Sequence, residues 1–460
     1  MTITTDNPNT AILPGGNDPT VFAIAEAWYP IYFVDDLDES KLARFTLLDQ
    51  DLVIWWDKSG ETWQVFKDQC PHRLASLSEG RINEAGLLEC PYHGWAFSGD
   101  GNCEVIPQQQ PGGLAHNSNR ACAKSYPTAI AQGLLFVYPG DKTNAPQTPI
   151  PIIEPLAEDP DAWVCLNIFR DLPYDALTLM ENVIDASHIP YTHHKTVGNR
   201  ANVAPVELEV TESGKQGFKG IWTEGPRKGQ LGTQYTTFTA PCLVWHDLTS
   251  KQFGRTLTVV YATPISKGKC RLFARFPFKF ASPLPRILIN LAPTWYSHLN
   301  QNGVLEDDQI FLHHQERYLE ALGGGDNYSR AFYLPTKADL YVSELRQWVN
   351  LYNGDPFPQQ DLPPRLAKEI LLDRYHSHTK NCRSCSQALR LIKQTKQIAI
   401  AIPLLTWAVI PLMSLITTLP SNLIAISLSG TLLLCSLIWW QLSKIEQKFY
   451  QGKETPPRNL

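Results

Sequence analysis

The chain has 460 residues, 43% of them hydrophobic and 18% charged, and a formal net charge of −5. That length exceeds one ordinary domain, and the composition excludes disordered, collagen-like and coiled-coil chains. The mild acidity gives no sign of a nucleic-acid binder, and ten cysteines are too sparse for a disulfide scaffold.

Residues 1–20 are polar, with no Lys or Arg and no apolar core. They read as a loose segment rather than a secretory signal. From Val21 to Asp141 short strands alternate with turns. Asp51–Trp56 and Thr62–Phe66 are β-branched and aromatic runs split by Asp57-Lys-Ser-Gly60, a hairpin signal. Gly133–Tyr138 reads as the last strand of this part. A Pro-rich linker follows at 146–160. Residues 162–344 read as mixed: a helix over Leu177–Ala186, strands over Thr236–Trp245 and Arg255–Ala262, and a helix over Gly303–Leu322. Asn353–Pro364 is a Pro/Asp-rich loop, and Leu366–Lys396 reads as basic helical connectors.

Between Lys396 and Lys444 lie 47 residues without a charge. One helix of that length would run about 70 Å, against about 30 Å for a bilayer core. The stretch therefore reads as two membrane spans, Ile398–Leu419 and Leu423–Trp440, with a turn at Thr417–Asn422. Lys380, Arg383, Arg390, Lys393 and Lys396 precede the spans, and Lys444, Lys448, Lys453 and Arg458 follow them. Basic flanks on both sides place both ends on the cytoplasmic face.

Cys70-Pro71-His72 is followed, after 17 residues, by Cys90-Pro91-Tyr92-His93. A Rieske [2Fe-2S] centre needs two thiolates on one iron and two imidazoles on the other, and each loop offers one of each. A structural zinc site also takes two Cys and two His, but zinc fingers group the cysteines together and the histidines together. Cys103, Cys122, Cys165, Cys242 and Cys270 read as buried thiols. Such a cluster only carries electrons, so a further site must use them.

Asn182-Val-Ile-Asp185-Ala-Ser-His188-Ile-Pro-Tyr-Thr-His193 supplies two histidines and an acid. Those are the types that hold a facial iron(II) with open positions. Pro190 is expected to end a helix and turn His193 back toward the metal of His188; His194 is the register rival. Cys382-x-x-Cys385 reads as a redox pair, a metal half-site, with His376 and His378 close enough to complete a mixed zinc site, or two incidental thiols. No GxGxxG follows a strand, so electrons must come from a separate protein.

On the segments Ala27–Tyr32, Cys70–Trp95, Asn182–His193 and Asn381–Cys385, with the paired C-terminal spans, the chain resembles a Rieske non-haem iron oxygenase. The branch is that of pheophorbide a oxygenase, the translocon-associated Rieske protein of chloroplasts, and protochlorophyllide and chlorophyllide a oxygenases. The resemblance implies an α+β protein in five parts: a flexible N-terminus (1–20), an all-β Rieske domain (21–141), a helix-grip-like catalytic domain (142–365), a basic connector with the CxxC pair (366–396), and a transmembrane helical hairpin (397–443). It implies that Cys70, His72, Cys90 and His93 hold the cluster, and that His188, His193 and Asp308 hold a mononuclear Fe(II), with Asp307 the alternative acid. Asp308 is taken to stand at a helix start. The resemblance gives Asp185 the role of an electron bridge across a subunit boundary and Asn182 a supporting role beside it. It makes Cys382 and Cys385 a thiol switch. It implies O2 as co-substrate, a ferredoxin-like donor or its reductase, a homotrimer, a lipid bilayer around the hairpin, and a hydrophobic, chlorophyll-type substrate. The opposing class is a Rieske electron carrier without the second iron.

Overall fold

A computed structural model of the protein describes residues 21–250, 254–280, 282–414 and 420–460. The expected N-terminal segment and residues 417–419 of the expected turn lie outside them. The chain divides into two compact units. One comprises Met1–His188, Ala201–Ala281 and Leu312–Pro364, the other Ile189–Arg200, Ser282–Phe311 and Arg365–Leu460.

The first unit opens with three small antiparallel sheets. Strands Ala43–Leu47, Gln50–Asp57 and Thr62–Lys67 form the expected meander, closed by Ser125–Tyr126. Tyr29–Phe33, Leu134–Val137 and Thr128–Ala131 form a second sheet. The third is built from four two- or three-residue strands between Arg81 and Val105. Val53, Trp55, Phe66, Leu77, Leu88 and Phe97 make a core that also includes Cys70 and Cys90.

A seven-stranded antiparallel sheet follows, in the order 164–172, 269–279, 254–266, 243–250, 234–239, 217–222, 208–214. Arg271 ties it to the N-terminal sheets. Its guanidinium pairs with Asp171 at 2.6 Å, donates to the Ile31 carbonyl at 3.1 Å, and lies over the rings of Tyr32, Phe45 and Phe169. A buried cation survives here because its charge is paired and each of its three nitrogens donates a hydrogen bond.

The run Thr236–Trp245 is not one strand. It is two, Gln234–Thr239 and Leu243–Ser250, paired through a turn holding a cis Ala240–Pro241 bond. The alternation of residue types continues on both sides of the proline, which hides the reversal.

Helix α1 (Ala176–Ile184) carries the expected helical segment. It ends at Asp185, five residues before Pro190. Pro190 sits instead in the first turn of a short helix, Ile189–Thr192, where its missing N–H costs nothing. Helix α2 (Pro283–Leu291) leaves Leu284, Ile287, Leu288 and Leu291 exposed. Helix α3 runs over Thr294–Ala321, so it begins well before Gly303. Asp308 is therefore mid-helix, not at a start. The Pro293 carbonyl accepts from the Tyr296 and Ser297 N–H groups of α3, and the run Ser297–Gln301, polar but for Leu299, hid that turn. Helix α4 (Leu340–Tyr352) packs on the large sheet through Tyr341 and Trp348.

In the second unit, helices α5 (Arg383–Ser414) and α6 (Ser421–Tyr450) run side by side. Both are long and apolar enough to cross a membrane, and most of each apolar stretch is exposed. Lys396 pairs with Glu446 at 2.6 Å where the uncharged stretch begins.

Candidate iron sites

The two cluster loops have the same backbone. In the first, the Leu74 N–H donates to the Cys70 carbonyl and the Cys70 N–H to that of Ala75. In the second, the Gly94 N–H donates to Cys90 and the Cys90 N–H to Trp95. The fourth residue after each cysteine has positive φ, 61° at Leu74 and 72° at Gly94. Only glycine takes that conformation without strain, so Leu74 adopts it at a cost.

Cys70 and Cys90 are buried, whereas His72 and His93 are half-exposed with ring centroids 4.7 Å apart. Trp95 stacks on His72 at 4.6 Å. Burial, with the Cys90 thiol beside it, pushes the Cys70 thiol up to about 12. Partial burial and the neighbouring His93 hold His72 below its ordinary value. An imidazole at the surface that resists protonation, as at His72, and a buried thiol that ionises only against a metal, as at Cys70, suit a two-iron cluster with an inner and an outer iron.

The second site is built on the loop after α1 and on α3. The carboxylate of Asp185 accepts from the Ser187 N–H at 2.8 Å and its hydroxyl at 2.6 Å. It is the Asp185 backbone carbonyl, not the carboxylate, that meets His188 Nδ1. His246, which the sequence reading missed, fixes the end of α1. Its Nε2 lies 2.9 Å from the Val183 carbonyl, and burial lowers its pKa to about 4, so it stays neutral. Asn182 stands half-buried on the same helix.

His193 is buried, with Nε2 3.2 Å from Asp308 and Nδ1 3.3 Å from Asp307. Burial alone would lower its pKa; the two carboxylates outweigh that and raise it to about 9. This pocket favours positive charge beside the imidazole, as a metal ion supplies. His188, His193 and Asp308 each present one ligand atom, all within 4.8 Å of one another. His194 is not among them; its Nδ1 accepts the Arg200 N–H at 3.3 Å. Asp307 takes a different part from Asp308. It holds the far nitrogen of His193 and accepts from the Thr196 hydroxyl at 2.8 Å, while Arg458 donates to its carbonyl. A carboxylate on the distal nitrogen fixes tautomer and orientation in a metal-bound histidine.

A family model described as Rieske [2Fe-2S] domain matches residues 27–127, and one described as pheophorbide a oxygenase matches 238–326. Pheophorbide a oxygenase of Oryza sativa subsp. japonica is 38% identical, over 84% of this chain and 78% of its own. The chain belongs to the pheophorbide a oxygenase family. It is accordingly a Rieske non-haem iron oxygenase, with a Rieske [2Fe-2S] cluster, a mononuclear iron and O2 as co-substrate. Within the same range of similarity, flavonoid 8-hydroxylase 2 of Ocimum basilicum is 34% identical over 79% of this chain and 73% of its own. Among solved structures, dicamba monooxygenase bound to dicamba superposes with a TM-score of 0.57 at 20% identity, over 72% of this chain and 98% of that one. That likeness is one of fold: an all-β Rieske domain followed by an α+β domain.

Proposed function

We propose that this oxygenase is anchored in a membrane by the α5–α6 hairpin and oxygenates a chlorophyll-derived tetrapyrrole with electrons from a ferredoxin-like donor. The extended match to the rice enzyme carries the substrate reading. The basil relative shows that the family also includes a protein named for a flavonoid, so the macrocycle is a matter for direct test. The exposed apolar lengths of α5 and α6 support the anchor, and the basic flanks favour a cytoplasmic side for the folded units. Both relatives are named as chloroplastic proteins.

In this reading Cys70, Cys90, His72 and His93 hold the cluster, and His188, His193 and Asp308 the mononuclear iron. When bound, these irons supply one-electron transfer at the first site and O2 activation at the second. The chain's own share is positional. Asp307 and Thr196 orient the His193 ring; the Asp185 carbonyl takes the proton-bearing Nδ1 of His188 and leaves Nε2 for the metal; His246 stays neutral and holds the end of α1. Asp185 is assigned to an electron path in a homotrimer, where its carboxylate would reach a neighbouring subunit's cluster histidine.

The test is turnover under ¹⁸O2 by the detergent-solubilised chain with ferredoxin and its reductase. Pheophorbide a, chlorophyllide a and protochlorophyllide a are offered in turn and products read by mass spectrometry. One labelled tetrapyrrole product is expected. No label from any of the three, with both iron sites loaded, overturns the tetrapyrrole reading.

A further inference from the structure

Outside the iron sites, one group of side chains has the composition and geometry of a metal centre. His298 of α3, His378, and Cys382 and Cys385 at the start of α5 are all buried, between 0% and 5% exposed. Their four ligand atoms lie within 4.8 Å of one another. His298 Nδ1 is 3.2 Å from His378 Nε2, 3.4 Å from Cys382 Sγ and 3.5 Å from Cys385 Sγ, and Cys385 Sγ is 3.3 Å from His378 Nε2.

We propose that His298, His378, Cys382 and Cys385 form a closed tetrahedral zinc site that fastens helix α3 to the base of α5. Zinc bonds of about 2.0–2.1 Å to nitrogen and about 2.3 Å to sulfur imply tetrahedral edges of about 3.3–3.4 Å between nitrogens and about 3.5–3.6 Å between nitrogen and sulfur. The observed edges fall within a few tenths of an ångström of these.

A purely hydrogen-bonded cluster accounts for the contacts less well. His298 Nδ1 has three heteroatoms within 3.5 Å and can direct one proton or one lone pair. A cation at the centre satisfies all four atoms together. Two thiolates and one Zn²⁺ sum to zero charge, which keeps the desolvation cost of this buried position low. Four protein ligands leave no open position, so the site is structural.

The chain builds it from separate parts. His378 lies in a π-helical turn, Tyr375–Thr379, a local widening common at functional positions. The Cys382 N–H donates to the His378 carbonyl at 3.0 Å, and Cys385 follows one turn on, so the three ligands share a face. His376 is not one of them: it is exposed and meets Asp373 at 2.5 Å. The fourth ligand, His298, precedes Asp308 by ten residues, about 15 Å along the same helix. Zinc here would set the position of the helix that carries the iron-binding acid. It would also keep Cys382 and Cys385 apart as thiolates, in place of the disulfide-forming pair the sequence suggested.

The full chain would be produced with zinc and iron available, purified in detergent without chelator, and analysed for metals and by zinc-edge X-ray absorption. One zinc per chain, bound by two sulfurs and two nitrogens, is expected beside the iron. Cys385→Ser should lose it while the Rieske electron-paramagnetic signal is unchanged. His298→Cys should retain zinc but show three sulfurs and one nitrogen, a change no merely packing role would produce. It also keeps the test decisive should Cys385→Ser misfold. Absence of zinc, a Cys382–Cys385 disulfide in the purified protein, or zinc with unaltered ligation in His298→Cys would each overturn the proposal.

Discussion

Asp307 and Asp308 are neighbours with the same side chain, yet the structure gives them opposite faces of one imidazole. Asp308 lies on the Nε2 side of His193, and Asp307 takes the Nδ1 side. Replacing each by asparagine should therefore have different results. Asp308→Asn removes a charged ligand, and iron should fall from about three to about two atoms per chain, the Rieske pair remaining. Asp307→Asn keeps the shape. Its amide oxygen can serve the Thr196 hydroxyl, now at 2.8 Å, or His193 Nδ1, at 3.3 Å, but no longer both with full charge. Loss of such a supporting carboxylate costs about 10–100-fold in metal affinity. The longer contact is to the histidine, so the lower end is expected, about 1.4 kcal/mol. Fe(II) titration of chelator-treated protein, followed by the nitrosyl complex of the mononuclear iron, measures both variants. Asp307→Asn should reload fully at excess iron and Asp308→Asn should not. The reverse pattern, or equal losses, would refute the assignment of roles.

Two further predictions rest on buried charges. Glu316 is held by the Asp175 N–H at 2.8 Å, the Thr178 hydroxyl at 3.0 Å and Arg317 at 2.6 Å; burial first, then the Asp175 charge, raises its pKa from 4.5 to about 7. The native state then keeps a proton that the unfolded chain has released, so stability should fall as pH rises from about 4.5 to about 7 and level off above. The whole span is at most about 3 kcal/mol. Glu316→Gln should flatten that slope in denaturant midpoints taken across pH; an unchanged slope would contradict it. Arg374 clasps Glu306 through two contacts of 2.6 Å, with both side chains 6% exposed. Arg374→Met strands a buried carboxylate and should cost about 3–5 kcal/mol in unfolding free energy. Adding Glu306→Met should recover most of that loss, and a single-variant cost below about 1 kcal/mol would show the pair to be solvated.

What the sequence disclosed was chemistry written in short range. Cys70, His72, Cys90 and His93 lie within two loops of a few residues, and their spacing alone requires a shared metal or cluster. The hairpin Asp51–Phe66 was legible because its strands flank a turn of four polar residues. Where partners come from far apart the text is silent. Asp307 and Asp308 differ by about 100° around the helix axis, and only the position of His193, more than a hundred residues earlier, separates their roles. His298 is one histidine in a polar stretch until the fold brings it to Cys382, and Arg458 near the C-terminus carries no motif at all. Pro190 misled because a proline can close one helix or open the next; the Asp185-Ser187 turn had already ended α1.

The C-terminal hairpin reads from sequence as a membrane anchor, and the chain that leaves it returns to the iron-bearing helix. The Arg374 guanidinium donates to the Lys448 carbonyl at 3.0 Å, the Thr379 hydroxyl to that of Phe449 at 2.8 Å, and the Gly452 N–H to that of Leu372 at 2.9 Å. Tyr450 stacks on Tyr375. A Cβ on Gly452 would stand 2.4 Å from the Glu306 carboxylate, so the backbone there passes directly over that buried pair. Arg458 then reaches the carbonyls of Thr192 and Asp307, on either side of His193. Truncation after Lys396 removes every one of these contacts and uncovers Glu306 and Asp307. Replacing residues 398–442 by a short Gly-Ser turn removes the same apolar surface but keeps them, since Lys396 and Glu446 already meet at 2.6 Å. The excised form should stay in solution without detergent and keep its mononuclear iron. The truncated form should retain the Rieske signal and lose that iron. Equal iron content in the two would mean that the C-terminal return contributes nothing to the site.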